Sequence, residues 1–79
     1  MTQQDIFDTI VRHTREVLPN LAEHPFRQED SLKALGANSI DRADIIMMTL
    51  ETLALNVPLV DMARADSMGG LADIMYAKS

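Results

Sequence analysis

The chain has 79 residues, a formal net charge of −5, no cysteine and only 4% aromatic residues. That length leaves room for a single domain, 1–79, near the lower size limit for a self-sufficient core. Without cysteine neither a disulfide nor a thiolate metal site can staple it, and the acidic balance argues against a nucleic-acid partner.

Thr2 followed by Asp5 reads as a helix start, and Ile6, Ile10, His13 and Val17 recur at helical spacing. Phe7, Val11, Thr14 and Leu18 widen that stripe into a first helix ending near Pro19. Asn20 to Asp30 reads as a long loop holding Pro25, with His24 solvated, Phe26 as a plug on the core and Leu21 assisting it. Ser31 to Leu35 makes a short helical turn, which Gly36 can close at positive φ because it lacks a Cβ. Asn38 is a favoured N-cap, and Asp41 completes a capping-box-like pair with it. The second helix then runs from about Ser39 to Leu53, and Pro58 marks the loop beyond it. Leu59 to Arg64 reads as a short third helix, and Ser67 caps a last one reaching about Tyr76. Gly69 and Gly70 in its first turn weaken it by up to ~1 kcal/mol each. With no strand-like alternation anywhere, the class is all-α, a small bundle. The N-terminus lacks the form of a secretory signal, and no apolar run approaches membrane-spanning length. The expectation is a cytoplasmic protein with no membrane partner.

On the second helix Ile45, Ile46, Thr49 and Leu53 share a face that should pack into the bundle. Ile40, Ala43, Met47 and Leu50 form another stripe, bordered by Asp44 and Glu51. A surface helix needs only one apolar stripe. The second therefore reads as a strip offered to partner grooves, where methionine adapts to several shapes; the bland alternative is that the core wraps round both. Ser39 takes the first helical position with its hydroxyl outward. A phosphate on that oxygen would meet free backbone N–H groups and the favourable end of the helix dipole. No G-x-S-x-G elbow surrounds it, and His13 and His24, the two possible bases, match no zinc spacing. Arg27, Arg42 and Arg64 are too scattered for a nucleic-acid patch.

The run Asp30-Ser31-Leu32-Lys33-Ala34-Leu35-Gly36-Ala37-Asn38-Ser39-Ile40-Asp41 resembles the attachment motif of acyl carrier proteins, D-S-L-x-x-L-G-x-D-S-L-D. Leu53, Val57 and Pro58 fall where that family has an aromatic or leucine and then an Ile-Pro step. Ser67-Met68-Gly69-Gly70-Leu71-Ala72-Asp73-Ile74-Met75 is similar to its closing helix. The resemblance implies a four-helix bundle of acyl-carrier type. It also implies that a phosphopantetheinyl transferase esterifies Ser39 with 4′-phosphopantetheine, whose thiol carries acyl groups while the protein has no catalytic activity of its own. Asn38, Arg42, Leu50 and Gly70 depart from the family pattern and thin its acidic surface.

The window Leu35 to Met48 resembles a narrower group, the free-standing donor carriers of polyketide β-branching cassettes. Acceptor carriers there tend to hold a tryptophan near the motif, and this chain has none. The narrower resemblance implies malonyl loading by an acyltransferase, conversion to acetyl by a decarboxylating ketosynthase-like enzyme, and delivery to a hydroxymethylglutaryl-synthase-like enzyme. For a carrier, the second stripe and its edges make Ile40, Asp41, Arg42, Ala43, Asp44, Met47, Leu50 and Glu51 the expected docking residues. Asp41, Asp44 and Glu51 would steer while Ile40 and Met47 hold, and the expected state is a monomer. A general fatty-acid carrier, a peptidyl carrier and an unmodified helical adaptor remain the alternatives.

Overall fold

A computed structural model describes residues 1–79 as four helices: α1 (Gln3–Val17), α2 (Ser39–Leu53), α3 (Leu59–Met62) and α4 (Met68–Lys78). The all-α bundle is the one the sequence implies. At the start of α1, Thr2 Oγ1 accepts the Asp5 N–H at 3.1 Å while Asp5 accepts the Thr2 N–H at 2.9 Å. This capping box satisfies donors that a helix end otherwise leaves bare. Ile6, Phe7, Ile10 and Val11 are buried where α1 packs on α2 and α4. Buried Thr14 is accommodated because its hydroxyl donates to the Ile10 carbonyl at 2.7 Å. Buried His13 ties α1 to α2, with Nε2 2.7 Å from Thr52 Oγ1. Its Nδ1 lies 2.8 Å from Glu16 Oε1 but off the line a hydrogen bond requires.

The long first loop is stitched rather than free. Pro19–Leu21 forms a single 3₁₀ turn that the sequence pattern does not announce. Phe26 packs on the core as expected, but Leu18 rather than Leu21 joins it there. His24, expected to be solvated, is half-buried with its ring edge-on to Phe26 at 4.7 Å and Nε2 3.1 Å from Asp30 Oδ2. The loop's own backbone bonds, such as His24 N–H to the Leu21 carbonyl at 3.0 Å and Asp30 N–H to the Arg27 carbonyl at 3.0 Å, form short turns, and side chains satisfy polar groups between them. Arg15 contributes by donating to the His24 carbonyl at 3.2 Å, with its guanidinium 5.2 Å from the Phe26 ring centre.

Asp30 also accepts the Arg27 N–H at 2.9 Å. That backbone bond first, and the bond with His24 second, hold its carboxyl below the ordinary value of 3.8. Because the folded value is depressed, the stabilisation is complete above 3.8 and disappears as pH falls through the lower folded value. Asp30→Asn is therefore expected to flatten the acid limb of the melting-temperature profile between about pH 5 and pH 2. Superimposable acid limbs for the two proteins would contradict this.

Two chain reversals flank α2. Before it, Ala37 N–H reaches the Leu32 carbonyl at 3.0 Å and Gly36 N–H the Lys33 carbonyl at 3.1 Å, with Gly36 at φ 103°. This is a Schellman closure, which needs a left-handed residue at that point. After it, the same pair of bonds recurs from Leu55 to Leu50 at 2.9 Å and Ala54 to Glu51 at 3.1 Å. Here the left-handed residue is Ala54, at φ 54°. Ala54→Gly is expected to raise stability by roughly 0.5 kcal/mol, the αL strain of alanine less the added freedom of the unfolded chain. Thermal denaturation should show a gain of about 2–4 °C.

The third helix stops at Met62 and continues only as a turn to Arg64, since Met62 is the one residue of its single turn that is buried. α4 runs past Tyr76 to Lys78. Gly69 has a reason beyond helix propensity: its N–H donates to the Gln28 carbonyl at 2.8 Å. A Cβ there would fall 2.8 Å from the Gln28 carbonyl oxygen and 2.5 Å from its side-chain oxygen. The first loop and α4 approach so closely that only glycine fits.

Candidate functional site

Ser39 is exposed at the first position of α2, as its place after the N-cap requires. Asn38 Oδ1 accepts the Asp41 N–H at 2.8 Å, and Asp41 Oδ2 accepts the Asn38 N–H at 3.3 Å. The Schellman turn before Asn38 and this box after it hold the helix start from both sides. Ser39 opens onto a cleft of about 550 Å³ whose lining includes Lys33, Arg42, Ile46, Met62 and Leu71. Arg42 is half-buried, and its Nη1 donates to the Ala37 carbonyl at 3.2 Å. Ala43 lines the cleft too and is half-buried.

The serine has no nucleophile-activating partner, because His13 is engaged by Thr52 and His24 by Asp30. No three metal-ligating side chains converge, and no helix is long and apolar enough to cross a membrane. Beyond Ser39 the surface of α2 is apolar with acidic edges. Ile40 is 71% exposed and Met47 54% exposed, while Asp44 and Glu51 are exposed beside them.

No protein-family model matches the chain. It is 44% identical over 78 residues to the polyketide biosynthesis acyl-carrier-protein AcpK of Bacillus subtilis (strain 168), covering 99% of this chain and 95% of that one. It is also similar to a chain in the crystal structure of the curacin biosynthetic pathway HMG synthase in complex with acetyl donor-ACP. There the TM-score is 0.94 at 44% identity, over 99% of this chain and 100% of that chain. The chain belongs to the acyl carrier proteins.

In this acyl carrier protein one residue expected on the exposed strip is buried instead. Leu50 is only 9% exposed and belongs to the core cluster. The Schellman reversal at Ala54 brings Leu55 and Val57 back against it, the contact that usually accompanies this closure. Leu50 forms the floor of a groove of about 420 Å³ rather than part of the outer strip. Asp41 is half-buried and spends one oxygen on the cap, so Asp44 and Glu51 are the freer charges. The carrier also presents two apolar residues the sequence reading missed, Leu59 at 46% and Val60 at 74% exposure. Their signal was a one-turn helix after Pro58 that buries Met62 and leaves its neighbours outward.

Proposed function

We propose that Ser39 carries 4′-phosphopantetheine and that the holo-carrier presents an acetyl thioester, derived from malonyl, to a hydroxymethylglutaryl-synthase-like enzyme in polyketide β-branching. What carries the reading is the full-length likeness, at TM-score 0.94, to a chain of the complex between HMG synthase and an acetyl donor carrier. Ser39 fits the group: its position is exposed at a fixed helix start, and the nearby Asp41 carboxylate is committed to Asn38. When bound, the prosthetic group supplies the thiol on which acyl units travel.

The protein's own part is to hold the tether and to dock briefly. Asp44 and Glu51 steer the encounter, while Ile40 and Met47 make the apolar contact that retains it. Flexible tethering raises the local concentration of thioester without a large interface. A phosphopantetheinyl transferase, an acyltransferase and a decarboxylating ketosynthase-like enzyme complete the partners of this reading. It describes a monomeric single-domain carrier, 1–79, working in the cytoplasm without catalysing a step itself.

The test is acetyl transfer. Holo-protein charged with acetyl should pass the group to a cognate hydroxymethylglutaryl-synthase-like enzyme, and a general fatty-acid carrier charged identically should do so poorly. The thioester is the same in both, so only the docking surface differs. Equal transfer from both would remove the specialised donor role and leave an acyl carrier of another pathway.

A further inference from the structure

We infer that Lys33 and Arg42 form a two-sided cationic clamp for the phosphodiester on Ser39. This rests on the reading of Ser39 as the attachment site. Lys33 stands in the turn before α2 and Arg42 in its first turn, and both line the cleft onto which Ser39 opens. Arg42 follows Ser39 by three positions and so shares its side of the helix. Its bond to the Ala37 carbonyl fixes the guanidinium against the motif turn and leaves other N–H donors of the fork free. Neither cation is spent on a carboxylate, since the ion pairs of the chain are His13–Glu16, His24–Asp30 and Arg27–Glu29. The only carboxylate lining the cleft is Asp66, contributed from the turn before α4. A phosphodiester is a single permanent anion at neutral pH, suited to charge-assisted bonds from two such donors. A guanidinium already held by a backbone carbonyl loses little freedom in accepting it.

The experiment compares apo- and holo-protein within each of four chains: wild type, Lys33→Gln, Arg42→Gln and the double variant. Subtracting the apo from the holo melting temperature cancels any folding cost of a substitution. In low salt the wild type should gain roughly 2–4 °C on modification, the scale of a solvent-accessible ion pair in a domain this small. That gain should shrink in each single variant, fall below half in the double variant, and fade in about 1 M salt. The phosphorus-31 resonance of the holo-protein should move with each substitution. Full modification by intact mass with an unchanged melting difference in the double variant would overturn the clamp alone. Loss confined to one substitution would overturn its two-sidedness. No added mass on wild type would overturn the attachment reading and the clamp together.

Discussion

Ser39→Ala is expected to abolish phosphopantetheine addition completely. Incubated with coenzyme A and a phosphopantetheinyl transferase, the wild type should gain one phosphopantetheine mass and the variant none. The loss is all-or-none because the hydroxyl oxygen is itself the atom that forms the ester, and no neighbouring hydroxyl can replace it in position. Ser31 also lines the cleft, but it sits in the preceding turn, where its Oγ is 3.4 Å from the Ala34 N–H. The fold should survive, since the cap of α2 belongs to Asn38 and Asp41 rather than to Ser39. An unchanged circular dichroism spectrum is therefore part of the expected result. Modification that persists in the variant would move the attachment point elsewhere and end the assignment.

Leu50→Asp and Met47→Asp should separate sharply although they place the same charge three positions apart on one helix. Met47 is 54% exposed, so its carboxylate stays hydrated and the melting temperature should change little. Docking should suffer instead: removing one apolar contact of about 1–2 kcal/mol lowers acyl loading or transfer by roughly 5–30-fold. Leu50 is 9% exposed under Leu55 and Val57, so aspartate there buries a charge with no partner. The penalty is several kcal/mol, comparable with the roughly 4–12 kcal/mol total stability expected for a chain of this length. Leu50→Asp should therefore lose its cooperative melt. The milder Leu50→Ala should stay folded at a cost of about 2–4 kcal/mol, with docking contacts outside the floor preserved. A folded Leu50→Asp with impaired transfer would restore Leu50 to the outer strip.

The contrast between these neighbours marks what the sequence by itself determined. The starts of α1, α2 and α4 were legible because each is written within a few residues. Thr2 with Asp5, Asn38 with Asp41, and Ser67 with Gly70 are bonds between positions three apart. Gly36 is readable for the same reason, since a left-handed closure falls on the residue that tolerates it. Together they place Ser39 at the first position of α2 without knowledge of the remaining chain. Ala54 closes the other end of α2 in the same geometry with no glycine to announce it.

Only the tertiary structure decided which apolar residues of α2 face solvent. Ile40, Ala43, Met47 and Leu50 share a spacing, so periodicity treats them alike. Leu50 is covered because the chain turns back over it, Ala43 is half-buried in the wall of the cleft, and Met47 stays 54% exposed. The same holds for Gly69, whose need for a missing Cβ comes from Gln28 in a loop distant in sequence. The cleft beside Ser39 gathers Lys33, Met62 and Leu71 from separate segments. A cap is a contact between near neighbours and is specified locally. Burial and clefts are contacts between segments far apart along the chain, and they exist only once packing has chosen which surfaces meet.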